Sequence, residues 1–306
     1  MKSALVGYTG FVGSNLADSY GFDALYNSKN IEEAFGTNPD LLVFAGLRAE
    51  KFIANKFPEK DRETILNAIE NIKRINPKKL VLISTIDVYK NPVDVNEETI
   101  IDEDGLQPYG KNRYDLESWV RENFSDHLIV RLPGLFGKNL KKNFIFDMIN
   151  IIPALLNEPK YKELTDIKPE LAHYYFINSD GFYKCKDLTS GERDVLKAIF
   201  KEIGFSALNF TDSRGIFQFY DLKNLWSHIE MASWLGIKTL NMATEPVSVR
   251  EVYRYVYDRE FVNYITDNPP FYDFKSIYAD KLGGRNGYLY CRDEVLSSIK
   301  EFMGED

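Results

Sequence analysis

The chain has 306 residues, of which 44% are hydrophobic and 27% charged, so it is long enough and apolar enough to bury a sizeable core. The formal net charge of −8 argues against a nucleic-acid-binding surface, although it is compatible with a local basic cleft for a small anion. Because Cys185 and Cys291 are the only cysteines and the three histidines are scattered, we predict reduced thiols, no disulfide framework and no metal site.

No apolar stretch of the sequence approaches the length of a membrane span. The opening residues run directly into an apolar strand pattern, without the charged leader and cleavage region of a signal peptide. We therefore expect a cytoplasmic protein with no membrane partner.

Residues 3–6 form an apolar run that ends at a glycine, and two more glycines follow at three-residue intervals. Gly7 makes a tight turn, Gly10 leaves room for a pyrophosphate, and Gly13 lets the next helix pack closely. An ordinary strand-to-helix turn is the alternative, but the helical pattern that follows directly favours a dinucleotide site. The predicted contacts are Gly7, Thr9, Gly10, Phe11, Val12 and Gly13.

A short second strand at residues 23–26 ends in a polar turn. In dinucleotide folds the tip of this strand meets the adenosine ribose, where a carboxylate suits a free 2′-hydroxyl and a cation suits a 2′-phosphate. The tip here holds Asn27, Ser28 and Lys29 and no carboxylate. We therefore prefer NADP(H) to NAD as the cofactor, the alternative being that Lys29 is a solvated loop charge.

Two further apolar strands are predicted at residues 41–45 and 80–83, and we expect Ala45 and Gly46 to contact the cofactor. The helix between them begins near residue 59 and carries an apolar stripe that the sheet or a partner must cover. The stripe consists of Ile65, Ala68, Ile69, Ile72 and Ile75. Strands that alternate with helices predict an α/β fold with a doubly wound parallel sheet, and the stripe permits a homodimer.

The fourth strand leads into Thr85 and Asp87, and after a polar loop a helix opens at Tyr109. Tyr109 and Arg113 stand at i and i+4, so the phenol and the guanidinium share one face of this helix. A nearby fixed cation favours the phenolate, which should lower the pKa of the tyrosine. Tyr109 is therefore a candidate acid/base.

Taken together, these motifs resemble the extended short-chain dehydrogenases/reductases, the family of nucleotide-sugar epimerases, dehydratases and 4-keto reductases. The matching positions are Gly7, Gly10 and Gly13 in the glycine motif, Thr85 after the fourth strand, and Tyr109 as the catalytic tyrosine. Residues 131–137 resemble the fifth strand and the loop beside the nicotinamide, which makes Pro133 a predicted cofactor contact. Residues 217–221 and 241–250 resemble two later landmarks of the family.

The resemblance implies hydride transfer between nicotinamide C4 and a carbonyl or alcohol carbon of the substrate. Tyr109 would exchange the matching proton and Thr85 would bond the same oxygen. The family has a lysine four residues after the tyrosine, where this chain has Arg113. Arginine keeps the charge but is planar and bulkier, and it would fix the nicotinamide ribose and bias Tyr109.

The residues after Thr85 limit which of the family's reactions this chain is expected to catalyse. Dehydratases of the family carry Asp-Glu there, whereas this chain reads Ile86-Asp87, which disfavours dehydration. Asp87 is an auxiliary base or a carboxylate that caps the following loop. Residues 29–40 and 45–51 resemble the compact 4-keto-sugar reductases, so we predict a reductase of a nucleotide-activated sugar. The alternatives are an epimerase that retains NAD and a non-enzymatic NAD(P)-binding sensor or scaffold.

The predicted dinucleotide-binding Rossmann domain comprises residues 1–137 and 212–245. A smaller C-terminal substrate lobe would comprise residues 138–211 and 246–306. Arg214 and Arg250 are candidates for binding the substrate diphosphate, because a guanidinium can bond two oxygens at once. For each arginine, a solvated surface charge is the alternative.

Overall fold

The computed structural model describes residues 2–304. The first part of the chain contains β1 (Ser3–Val6), α1 (Phe11–Ser19), β2 (Ala24–Tyr26), β3 (Leu41–Phe44), α2 (Lys51–Lys56), α3 (Pro58–Ile75), β4 (Lys79–Thr85), α4 (Pro108–Asn123), β5 (His127–Leu132) and β6 (Gly134–Phe136). The middle part contains α5 (Phe144–Ile149), β7 (Leu155–Leu156), α6 (Glu158–Ile167), β8 (Tyr175–Ile177), β9 (Tyr183–Cys185) and α7 (Ser190–Glu202). The last part contains β10 (Ile216–Phe217), β11 (Phe219–Asp221), α8 (Leu225–Trp234), β12 (Thr239–Asn241), β13 (Val247–Ser248), α9 (Val249–Tyr257) and α10 (Arg292–Gly304).

A six-stranded parallel sheet in the order β12-β5-β4-β3-β1-β2 forms the centre of the larger part of the molecule. Apart from the edge strand β2, where Leu25 is exposed, its strands are largely buried on both faces and alternate their side chains between two cores. One core joins the sheet to α1 and α8, and the other joins it to α3 and α4. The predicted α/β fold with a doubly wound parallel sheet is confirmed.

The apolar stripe on α3 packs against the sheet of its own chain. Ile65, Ala68, Ile72 and Ile75 are buried in the core beneath the sheet, and Ile69 packs against it partly exposed. The stripe is therefore covered without a partner, and it no longer argues for a homodimer.

The described residues form two compact units. The larger contains residues 2–140, 216–247 and 270–304, and the smaller contains residues 141–215 and 248–269. The predicted boundaries differ from this division, because residues 270–304 were assigned to the substrate lobe and belong to the larger unit. Ser298 on α10 donates to Asp221 on β11, and Gln218 donates to the carbonyl of Phe274, so side-chain bonds hold this segment there.

The smaller unit has a three-stranded antiparallel sheet in the order β7-β9-β8, together with α5, α6, α7 and α9. Its core contains Leu156, Leu164, Leu196 and Phe200. Across residues 2–304, no helix combines the length and the apolar character needed to cross a bilayer.

Candidate functional site

The glycine turn after β1 has the backbone geometry that a dinucleotide site requires. Gly7 has φ +95°, and a Cβ there would lie 2.5 Å from the carbonyl oxygen of Ala45. A Cβ on Gly13 would lie 2.1 Å from the carbonyl oxygen of Gly7. At Gly10 the nearest such contact would be 3.3 Å, and this residue is exposed. The turn thus needs glycine at positions 7 and 13, and it leaves the surface at Gly10 open.

The first turn of α1 provides donors at this open surface. Gly10 is the N-cap, no side chain caps this end, and the first turn contains no acidic residue. The leading N–H groups of a helix have no acceptor within it, and the helix dipole favours an anion there. Thr9 is exposed beside them, whereas Phe11 and Val12 pack partly against the core. These residues fit a pyrophosphate, so the structure has a suitable place for a dinucleotide.

We expect Gly10→Glu to abolish tight dinucleotide binding while the protein stays folded. Gly10 has φ −80°, which any residue adopts, so the side chain would enter the open surface and bring a carboxylate toward the anion. Dinucleotide affinity, measured by titration calorimetry, should fall at least tenfold. Gly13→Ala is the contrasting variant, because its Cβ clashes with Gly7 and should lower the urea midpoint of unfolding. If Gly10→Glu bound the dinucleotide with wild-type affinity, the glycine turn would not be the binding site.

Two neighbouring strand ends lie against the glycine turn. Gly7 donates its N–H to the carbonyl of Tyr26 at the end of β2, and Ala45 donates to the carbonyl of Val6. Gly46 follows directly, and a Cβ there would lie 3.1 Å from a methyl group of Val6. Ala45 and Gly46 thus lie beside the turn, and their contact with a cofactor stays a prediction.

The polar turn after β2 is internally bonded. Asn27 accepts from the N–H of Lys29 at 2.8 Å, and the N–H of Asn27 donates to Asn30. Ser28 and Lys29 are exposed at the tip. The structure therefore orders the turn and leaves the hydroxyl and ammonium groups at the surface, next to the strand that ends at the glycine turn.

Thr85, Asp87 and Tyr109 meet where β4 ends and α4 begins. The Thr85 hydroxyl accepts the N–H of Asp87 at 3.2 Å and lies close enough to the Tyr109 hydroxyl to lower the pKa of that phenol. Gly110 makes this approach possible, because a Cβ there would lie 2.0 Å from the carbonyl oxygen of Asp87. Pro133 lies one residue beyond Leu132, the parallel-pairing partner of Thr85. The predicted site residues of the larger unit thus share one edge of the sheet.

Burial changes the expected behaviour of Tyr109. Removal from solvent raises the pKa of the phenol, and Arg113 lowers it by less, so the pKa ends above its usual value. The cation lowers this pKa as expected, but the expected net lowering is not found, because burial raises the pKa by more. The Arg113 guanidinium lies 4.6 Å from the centre of the Tyr109 ring, and desolvation of the phenolate outweighs its attraction.

Arg113 forms a buried ion pair that the sequence did not predict. Its two Nη atoms donate to the two carboxylate oxygens of Asp61 at 2.9 and 3.1 Å, and Nη2 also donates to the carbonyl of Arg48 at 2.9 Å. Only 4% of the Arg113 side chain is exposed. The guanidinium is thus hydrogen-bonded to α3 and to the segment before α2. These bonds do not fit the ribose-binding role expected for Arg113.

A second cation, Lys51, was also missed. Its Nζ lies 2.7 Å from Oδ1 of Asp87 and 3.5 Å from the hydroxyl of Tyr272. Burial lowers the pKa of Lys51, but Asp87 and Tyr272 raise it by more. Asp87 is therefore paired through its carboxylate as well as bonded through its N–H to Thr85. Because 36 residues separate Lys51 from Asp87, no local spacing could have found this pair.

Arg214 and Arg250 lie in the smaller unit with Tyr264. Arg214 is held by Asp212 through Nε at 3.0 Å and Nη2 at 2.8 Å, and it lies over the Tyr264 ring. Arg250 reaches the Tyr264 hydroxyl at 3.5 Å, while its Nε is buried with no hydrogen-bond partner in residues 2–304. Of the two predicted diphosphate ligands, Arg250 has the less satisfied guanidinium.

Neither the known family models nor the curated proteins give a significant match to this sequence. Solved structures do resemble it over the whole chain. The dTDP-4-dehydrorhamnose reductase from Bacillus anthracis, solved with NADP, is 15% identical to this chain, with a TM-score of 0.64. The alignment covers 100% of this chain and 99% of the reductase. The UDP-glucose 4-epimerase from Thermotoga maritima, solved with UDP-glucose, is 14% identical with a TM-score of 0.61 and the same coverage.

A third structure, the enzyme WbmG from Bordetella bronchiseptica in complex with NAD, is 13% identical with a TM-score of 0.63. The alignment covers 99% of this chain and 94% of WbmG. At such identities the likeness concerns the fold. The chain therefore has the Rossmann-type α/β architecture of these three enzymes.

Proposed function

We propose that this protein is an NADP-dependent oxidoreductase that reduces a keto group of a nucleotide-activated sugar. The observation that carries the proposal is the closeness of the Thr85 and Tyr109 side chains at the same sheet edge as the open glycine turn. The similar reductase from Bacillus anthracis was solved with NADP, and a further similar structure, RMD from Pseudomonas aeruginosa, was solved with NADPH, which supports the same reading.

A protonated Tyr109 can supply the proton that reduction of a carbonyl requires. A bound nicotinamide supplies the hydride, and the oxygen of the reduced carbonyl then needs a proton. Because burial raises the pKa of Tyr109, the phenol is protonated at neutral pH and can donate that proton. The Thr85 hydroxyl lies beside the phenol, where it can bond the same oxygen of the substrate.

The test is to bind NADPH or NADH to the purified protein and follow the absorbance of the reduced nicotinamide against nucleotide-linked 4-keto sugars. Oxidation of NADPH that depends on one of these substrates is the expected result. Tightly retained oxidised NAD with interconversion of two sugar epimers would establish the epimerase instead. Binding without any turnover would favour the sensor or scaffold. The cytoplasmic location, the homodimer and the two-domain division of labour stay predictions.

We expect Lys29→Ala to reduce the preference for NADPH over NADH. Lys29 is exposed at the tip of β2, where its ammonium would pair with the 2′-phosphate. Loss of one charge-assisted bond should raise the dissociation constant of NADPH about tenfold and change that of NADH by less than about twofold. The measurement is the ratio of the two dissociation constants, with Lys60→Ala as a control for the change in net charge. An unchanged ratio would mean that Lys29 is a solvated loop charge.

A further inference from the structure

The first turns of α4 carry no cation that is free to bind a ligand hydroxyl. Arg113 is the residue that the family resemblance assigns to this task, yet both its Nη atoms bond Asp61 and its side chain is almost fully buried. Lys111, also on α4, pairs with Glu103 and Asp115. A cation for the site must therefore come from another element.

Lys51, the first residue of α2, meets this requirement. An ammonium group has three donors, and here one of them bonds Asp87 at 2.7 Å while the contact with Tyr272 is long at 3.5 Å. The side chain is 47% exposed, so the group remains accessible to a ligand. Lys51 is thus held in position by Asp87 and keeps N–H donors that can bond a ligand.

The short helix α2 connects Lys51 to the segments that carry Thr85 and Tyr109. Asn55, one turn after Lys51, accepts the backbone N–H of Tyr109 at 2.9 Å. Asp87 is bonded through its own N–H to the Thr85 hydroxyl. One face of α2 therefore contacts the start of α4 and the end of β4 together, which fixes Lys51 relative to Thr85 and Tyr109.

We propose that Lys51 binds the hydroxyl groups of the nicotinamide ribose in place of residue 113. This inference rests on the proposed function, because it requires a nicotinamide dinucleotide at the glycine turn. Asp87 orients the ammonium, and Arg113 with Asp61 forms the rigid support beneath Tyr109.

The experiment compares two probes by fluorescence or calorimetric titration. NADPH carries the nicotinamide ribose, whereas adenosine 2′,5′-bisphosphate carries only the adenosine half with its 2′-phosphate. In Lys51→Met we expect the NADPH dissociation constant to rise at least tenfold and that of the bisphosphate to stay within twofold. Lys60→Met, an exposed lysine on α3 with the same change in charge, should match the wild type with both probes.

Equal affinity of wild type and Lys51→Met for NADPH would overturn the inference, as would equal weakening of both probes. The double variant Lys51→Met/Asp87→Asn removes the carboxylate that the single variant leaves unpaired. If it restored NADPH binding, Lys51 would act only by neutralising Asp87, which would also overturn the inference. Failure of the wild type to bind either NADPH or NADH would instead refute the proposed function.

Discussion

Replacing Tyr109 by phenylalanine is expected to lower kcat for keto-sugar reduction by about 10²- to 10⁴-fold, the usual contribution of a general acid. The ring would still pack against the Arg113 guanidinium, because only the hydroxyl is removed. NADPH affinity and the urea midpoint should stay close to wild type. Stopped-flow measurement of hydride transfer separates this chemical step from binding.

Tyr114→Phe is the matched control for this variant. It makes the same substitution on the same helix, and Tyr114 packs in a separate apolar cluster. Its kcat should equal that of the wild type. Since the Tyr109 phenol ionises only above its usual value of about 10, the wild-type rate should show no loss from this group across the neutral pH range. A Tyr109→Phe protein with an undiminished rate would remove Tyr109 from the reaction.

Replacing Glu117 by glutamine is expected to destabilise the protein by about 3–5 kcal/mol, the usual cost of breaking a buried ion pair. Glu117 is fully buried on α4 and accepts from Arg131 at 2.6 Å, from Arg121 at 2.7 Å and from the hydroxyl of Ser84 at 2.5 Å. Without its negative charge, the buried guanidinium of Arg131 would be left unpaired. Urea denaturation gives the change in the free energy of unfolding.

Glu163→Gln is the comparison on an exposed helix. Glu163 pairs with Lys160 three residues earlier on α6, and such surface pairs contribute less than about 1 kcal/mol. Glu117→Leu/Arg131→Met should be more stable than Glu117→Gln, because it removes both buried charges. A loss below 1 kcal/mol in Glu117→Gln would show that Arg131 finds another partner.

The parts of the site that could be predicted are those set by short-range backbone geometry. Gly7 and Gly13 follow from the turn between β1 and α1, where a Cβ would clash with nearby backbone. Thr85 and Pro133 are matched through the family resemblance, and parallel pairing of β4 with β5 brings them to one edge of the sheet. The sheet itself follows from continuous apolar strands alternating with helices.

The parts that could not be predicted depend on contacts between distant segments. Asp61 and Arg113 are 52 residues apart, and they pair only because α3 packs beside α4. The pKa of Tyr109 depends on burial, which the spacing of residues does not reveal. Gly110 did offer a signal, since a glycine in the first turn of a helix indicates a close backbone contact. No local sequence pattern indicates that residues 270–304 belong to the larger unit.

The difference in exposure between the two cation–carboxylate pairs has a consequence for ionic strength. Arg113 and Asp61 are shielded from mobile ions, whereas Lys51 and Asp87 are partly open to them. At about 1 M salt the screening length falls to about 3 Å, so the attraction within the open pair weakens and that within the shielded pair does not. A concentrated electrolyte would therefore loosen Lys51 from Asp87 and leave the support beneath Tyr109 in place.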